Sequence, residues 1–275
     1  MALYMIGLGL GNFQDITLRG LAAARNSDFI FLESYTSIYG SSKKDLEEFF
    51  EKEITEADRN LVESHANKIL EHAKKQNVSF LVIGDVFGAT THTDLFLRAK
   101  KEGIDVHVIN NTSIINAVSI TGLELYRFGR TASIVLDDDN WLPQTPYDII
   151  KENQDMGLHT LCLLDIKTAE PSKENIRKGI NKPEPARFMT VNHALEILKK
   201  IEKSKRKDEE EEENKKVITD DMIVVGVARL GSEDQMIVAG KLKDVIKHDF
   251  GKPLHSLIIP GKLHDIEKEM LHLWK

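Results

Sequence analysis

Short apolar runs rich in β-branched and aromatic side chains recur through the first part of the chain, at Leu3 to Leu8, Asp28 to Glu33, Val78 to Ile83 and Asp105 to Ile109. Leu3 to Leu8 is continuously apolar rather than alternating, the mark of a strand buried on both faces of a parallel sheet. Between the runs the period changes. Leu18, Leu21 and Ala22 lie at helical spacing behind a cap expected at Asp15, and residues 43 to 75 read as helical, with Leu46, Phe49, Phe50, Leu61, Ile69 and Leu70 opposite a charged face. Strand, helix and strand from Leu3 to Glu33 form a βαβ unit. Apolar strands also give way to small polar turns and then helices after Ile83 and after Ile109. Repeated edges of this kind predict a doubly wound first domain.

The rhythm changes from Gly129. Strands are expected at Thr131 to Val135, His159 to Ile166, Met222 to Gly231 and Pro253 to Pro260, with Gln235 to Ala239 as a hairpin partner. Pro143 to Gln154 reads as a loop and short helix, Ala194 to about Lys203 and Ile266 to Trp274 as helices, and Pro171, Pro183 and Pro185 mark an irregular crossover. The chain is thus read as two α/β domains, 1–112 with a mostly parallel sheet and 113–275 with a mixed sheet. Residues 203–216 carry basic, acidic and again basic charge with no apolar side chain, so they are expected as a solvated helix extension or surface loop of the second domain.

The stretch with most chemistry runs from Gly84 to Leu95, GDVFGATTHTDL, behind an apolar strand. Asp85 and His92 bracket a loop with glycine at 84 and 88, where backbone can approach a ligand; a turn with a helix cap is the plainer reading. Ser113 can likewise cap a helix or bind a ligand. The turn Gly7-Leu8-Gly9-Leu10-Gly11 with Glu33 ending the next strand resembles a dinucleotide fingerprint, but the required sixth glycine is Asn12 or Gln14 depending on the start. A nicotinamide oxidoreductase is therefore a disfavoured alternative.

Composition narrows the classes. A net charge of -7 argues against nucleic acid or an anionic membrane as the main partner. The single cysteine, Cys162, excludes a disulfide framework and a thiolate metal cluster, and its apolar setting predicts a core residue. His65 and His72 are expected to share a solvated helix face without further ligands at metal-binding spacing. The amino terminus has no basic start, and no apolar run reaches the roughly 18 residues of a membrane span, so a reducing, soluble compartment is expected.

Together GLGL at 7 to 10, Asp15-Ile16-Thr17, Glu33-Ser34-Tyr35-Thr36-Ser37, GDVFGATTHTDL, Leu161-Cys162-Leu163-Leu164-Asp165-Ile166, ARLG at 228 to 231 and PLHSLII at 253 to 259 resemble the diphthine synthase family of the tetrapyrrole methylase superfamily. The likeness covers nearly the whole chain in order. It implies two α/β domains, S-adenosylmethionine in the cleft between them, a homodimer and a cytoplasmic location. It also implies a substrate, the 3-amino-3-carboxypropyl-histidine of translation elongation factor 2. Residues 203–216 resemble the variable insertion of eukaryotic members, which implies trimethylation of the amine and methylation of the carboxylate to diphthine methyl ester. Another substrate within the superfamily is the alternative.

Carried over residue by residue, the resemblance assigns cofactor contacts to Leu10, Asp85, Gly88, Ser113, Ile114, Leu164, Leu230 and His255. A methyl donor without phosphate needs apolar walls and a few polar groups, which suits these residue types. No general base or metal ligand set is assigned; His92 is the one candidate base. Two departures stand out: Val86 where members commonly carry proline, which predicts a looser loop, and the acidic Leu136-Asp137-Asp138-Asp139 where eukaryotic members are aromatic-rich, which bears on substrate recognition.

Overall fold

The computed structural model of the protein describes residues 1–90, 92–137, 141–167, 177, 179, 184–208 and 216–275. They form two compact units, Met1–Ala117 with Leu230–Glu233, and Val118–Arg229 with Asp234–Lys275.

In the first unit five parallel strands, β1 (Ala2–Gly7), β2 (Phe29–Glu33), β3 (Ile54–Ala57), β4 (Asn77–Val82) and β5 (Asp105–Ile109), lie in the order β3-β2-β4-β1-β5. Helices α1 (Leu18–Arg25), α2 (Lys43–Phe50), α3 (Asn67–Ala73), α4 (Thr93–Lys101) and α5 (Ile114–Ala117) lie between or after them. Leu3, Met5, Phe80 and Val82 face one apolar cluster and Ile6, Leu8, Leu81 and Ile83 another, so the central strands are buried on both sides. The chain leaves β1 toward β2 and leaves β4, its neighbour, the opposite way toward β5. The adjoining carboxyl ends of β1 and β4 are therefore a topological switch point, where open α/β sheets bind ligands.

Three expectations for this unit need correction. Residues 43–75 are not all helical: β3 and a wide turn at Asn60–Ser64 interrupt them. This edge strand exposes Thr55 and Glu56, so its apolar signal is weak. Thr17, not Asp15, caps α1, its side chain accepting from Gly20 N at 3.0 Å. His65 and His72 share no face, since His65 ends the wide turn in solvent while the half-buried His72 packs on Phe29 with ring centroids 4.1 Å apart.

The second sheet has the order β11-β10-β12-β7-β6, from β6 (Ala132–Ile134), β7 (Thr160–Leu164), β10 (Ile223–Ala228), β11 (Met236–Lys241) and β12 (His255–Ile259). Its pairs are antiparallel except β6 with β7, and β10–β11 is the expected hairpin. A small ribbon joins β8 (Ile166–Lys167) to β9 (Arg187–Phe188). Helices α6 (Thr145–Asp155), α7 (Val191–Asp208), α8 (Leu242–Val245) and α9 (Asp265–His272) complete the unit. Helix α7 starts earlier than expected and takes in the head of the charge block; 209–215, Pro171 and Pro183 lie outside the described residues. Cys162 is fully buried, and burial pushes its thiol up to about 12, so it is a core residue with no thiolate at neutral pH. Among the described residues no helix is long and apolar enough to cross a membrane.

Helix α9 is held by charge. Glu267, fully buried, accepts from Arg127 Nη1 at 2.7 Å, His159 Nε2 at 2.9 Å and Glu124 N at 3.2 Å. His159 Nδ1 accepts from Gly261 N at 2.9 Å, which fixes the proton on Nε2. Removing the carboxylate leaves Arg127 without its buried counter-charge. Glu267→Ala should lower unfolding free energy by about 3–5 kcal/mol, measured by urea denaturation.

Candidate active site

Three loop ends converge at the carboxyl edge of the parallel sheet. Strands β1 and β4 are prolonged by reciprocal backbone bonds, Gly9 N to Gly84 O at 3.1 Å and Gly84 N to Gly9 O at 2.8 Å. Asp85 then takes both neighbours in hand. Its Oδ1 accepts from Phe87 N at 3.0 Å, and its Oδ2 from Asn111 N at 2.9 Å and Asn110 Nδ2 at 3.0 Å. Asn111 extends the clamp to the first loop, its Nδ2 donating to Gly7 O and Asp15 O, each at 3.0 Å.

Partial burial works to raise the Asp85 carboxyl, but the donors Phe87 N, Asn111 N, Asn110 and Gly88 N outweigh it and hold it below the usual carboxylate range. The side chain is thus an anionic brace. Gly88 packs where the clamp draws the loops together: a Cβ there would stand 2.5 Å from Ser113 Oγ, too close for any other residue. Ser113, nearly buried, caps the short α5, its Oγ accepting from Ile115 N at 3.2 Å while its own N donates to Asn116 Oδ1 at 2.8 Å.

Gly84 is where the other two loops come into contact: the nearest atoms to a Cβ built there are Leu10 Cδ2 at 3.7 Å from the β1 loop, and Thr112 O at 3.8 Å and Ser113 Cα at 3.9 Å from the β5 loop. Leu10 in turn packs on the segment that carries Leu230, its Cβ lying 2.8 Å from a Cβ built on Gly231. Of the eight assigned positions the first unit thus groups Leu10, Asp85, Gly88, Ser113, Ile114 and Leu230. Leu164 and His255 belong to the second, at one edge of its sheet: Leu164 ends β7, and His255 opens β12 opposite Ala228.

His255 is a strut in its own unit. Its Nδ1 accepts from Val191 N at 3.4 Å and its Nε2 donates to Lys252 O at 2.9 Å. Burial pushes its pKa down, helped by the Arg229 charge and opposed by the Lys252 carbonyl, so the ring is neutral at pH 7.

His92 corrects the expectation of a cap or base. It makes no capping bond, is fully buried edge-to-face against Tyr35 and Phe80, and neither ring nitrogen has a hydrogen-bond partner among the described residues. Burial pushes its pKa down to about 4. Such a ring cannot exchange protons with a substrate; it is a wedge under α4. Val86, fully buried in the same apolar cluster as Leu95, fills the base of the loop. Glu33 is internal too. Its carboxylate accepts from Tyr35 N, Thr36 N and Thr36 Oγ1 at 2.6–2.8 Å, which counts against a dinucleotide ribose as its partner. Sequence reasoning missed Asn110 and Asn111; the signal was a polar pair immediately behind an apolar strand.

Doubly wound parallel strands with a braced carboxyl edge, joined in sequence to a mixed sheet, define the class as a two-unit α/β fold. The family model of tetrapyrrole (corrin/porphyrin) methylases matches residues 2–246. Diphthine methyl ester synthase of Bos taurus is 50% identical over 273 residues, covering 99% of this chain and 94% of the relative, and that of Homo sapiens is 49% identical over the same shares. A crystal structure of diphthine synthase superposes with a TM-score of 0.82 at 34% identity, covering 100% of this chain and 96% of that one. The chain belongs to the tetrapyrrole methylases and, within them, to the diphthine synthase family. It is a methyltransferase.

Two outcomes follow from the buried groups. Asp85→Asn sets an amide donor against the donors it must receive and should cost about 1–3 kcal/mol in urea denaturation. It should also remove an acid-limb contribution: the folded pKa is depressed, so that stability is present above pH about 3.9 and lost as pH falls through the folded value. For His92 the unfolded ring binds its proton near pH 6.5 and the folded one near 4, so wild-type stability should fall as pH drops between these values. His92→Leu should remove the His92 share of that slope while leaving neutral-pH stability within about 1.5 kcal/mol.

Proposed function

We propose that the chain is an S-adenosylmethionine-dependent methyltransferase acting on the 3-amino-3-carboxypropyl-histidine of translation elongation factor 2, adding three methyl groups to the amine and one to the carboxylate. The observation that carries the reading is half identity, over almost the full length, to diphthine methyl ester synthases.

The first unit fits the methyl donor. Leu10, Thr112 and Ser113 surround Gly84, with Leu230 following on the Leu10 side, and set an apolar wall beside a backbone carbonyl. Leu10, Ile114 and Leu230 would hold the adenosyl portion, and Asp85 and Gly88 would shape the loop around it rather than donate to it. Leu164 and His255 are the second unit's contributions, His255 through its ring, since each nitrogen already carries a bond. The donor supplies an electrophilic methyl on a sulfonium. The protein's task is to align the acceptor, and alignment alone can be worth effective molarities of about 10⁵ M or more.

A homodimer is part of the proposal. Ile266 on α9, Leu273 just past its end and Tyr126 in the same unit are apolar side chains more than half exposed, which suits a second copy. The cytoplasm, where the elongation factor works, is the proposed location.

S-adenosylhomocysteine at 100 times its Kd should stabilise the protein by about 2.7 kcal/mol in a thermal-shift experiment, whereas NAD should give no shift. Mass spectrometry of the elongation factor after incubation with enzyme and S-adenosylmethionine should show four added methyls. Three would remove the ester step, and none would end the proposal.

A further inference from the structure

Outside the assigned residues, one histidine is presented as a base should be. Helix α7 opens at Val191, whose N–H is bonded to His255, and His193 follows two residues later. His193 Nε2 lies 2.8 Å from Asp137 Oδ1, and Asp137 Oδ2 is 2.6 Å from Lys200 Nζ. The dyad stands at the carboxyl edge of β6 and β7, the edge that carries Leu164. Asp165, just past β7, builds that edge: its N donates to Ile134 O at 3.0 Å, its Oδ2 accepts from Leu136 N at 3.1 Å, and its O accepts from Met189 N at 3.0 Å. Asp137 and His193 are thereby brought together from the ends of β6 and of the segment entering α7.

The ring is primed in one tautomer. Asp137 accepts the Nε2 proton, which leaves the Nδ1 lone pair without a hydrogen bond among the described residues, on a side chain 34% exposed. The Lys200 hydrogen bond, with help from His193 and against partial burial, holds the Asp137 carboxyl below its usual range, so it stays ionised and holds the ring in this tautomer. Among the described residues, Lys200, Glu196 beside Lys200 on the same helix, and Asp165 at the strand edge are further charges here. His92, by contrast, is buried without solvent access, and His255 and His159 have both nitrogens engaged.

We propose that His193 is the general base for the amine methylations and that Asp137 is its positioning residue. The inference rests on the amine acceptor proposed above. An ammonium has no lone pair. His193 Nδ1 takes one proton from it; the freed nitrogen pair attacks the donor methyl, forming N–C as C–S breaks, and the bonding pair leaves on sulfur. The imidazolium then gives its proton to water. Three rounds remove three protons and end at a quaternary nitrogen, while the carboxylate attacks as the anion it already is.

The test uses the full chain, elongation factor 2 carrying the 3-amino-3-carboxypropyl-histidine, and S-adenosylmethionine, with methyl addition followed by mass spectrometry across pH. His193→Gln should slow amine methylation about 10²–10⁴-fold at neutral pH. Its rate should then keep rising about tenfold per pH unit into the alkaline range, where the amine sheds its proton unaided. The loss should be at least tenfold greater for the amine than for ester formation on a trimethylated substrate. Asp137→Asn should slow amine methylation at least tenfold while leaving ester formation on a trimethylated substrate unchanged, because the carboxylate that orients the ring is gone. Both variants should keep the thermal shift with S-adenosylhomocysteine, which separates lost chemistry from lost folding. Zero methyls added by the wild type overturns the acceptor, and the base with it. A fully active wild type alongside a His193→Gln enzyme of unchanged pH profile, or a Lys200→Gln enzyme equally impaired, overturns the base alone.

Discussion

The edge of the parallel sheet depends on one carboxylate. Parallel strands end in loops whose backbone groups have no ladder partner, and three such ends meet beside β1, β4 and β5. Asp85 satisfies donors from two of them, and Asn111 passes the constraint to the carbonyls of the third. Because the donors are fixed amides and the acceptor is ionised, each bond is of the stronger, charge-assisted kind. Gly88 follows from this constraint: drawn together, the loops leave no room for a side chain against Ser113. Small residues in this stretch thus serve the protein's own loops.

The second unit builds its edge by the same logic with other groups. Asp165 joins β6, β7 and the approach to α7, and His255 ties the start of α7 to β12. Each polar side chain here bridges segments far apart in sequence. Buried polar groups must be satisfied, so a change at one end disturbs a distant strand end. The contrast with Cys162 and His92 is instructive. Both are reactive types, but burial drives the thiol up and the imidazole down, leaving each in its neutral, inert form.

Most strands were legible in the sequence because a strand buried on both faces is written as continuous apolarity, as in Val78 to Ile83 and Leu161 to Leu164. The edge strand β3 was not, since half of Ile54–Ala57 faces solvent. Local caps were ambiguous: Asp15 and Thr17 are both good capping residues, and only the geometry shows Asp15 receiving Gly11 N at 2.7 Å instead. At the candidate site, Asp85 and Gly88 could be picked out as special but their purpose could not, because the partner Asn111 is remote in sequence. His92 misled for a related reason: a histidine beside a helix start looks like a cap, and only burial between Tyr35 and Phe80 distinguishes a wedge. Asp137 and His193 lie on separate elements, and no local spacing announces such a pair.

The proposed reaction makes unequal demands on the protein. An amine held as ammonium at neutral pH is inert to a methyl sulfonium until a proton leaves, and the acceptor amine, which sits on the same carbon as a carboxylate, is mostly ammonium there. A carboxylate is ready at any pH above its own pKa. Positioning can serve both acceptors, but only the amine gains from a base. A dyad with one ring nitrogen held by a carboxylate and the other open meets that demand without disturbing the ester step. It also limits the sequence: once the nitrogen carries three methyls there is no proton left to remove, and within the aminocarboxypropyl group the only remaining nucleophile is the carboxylate.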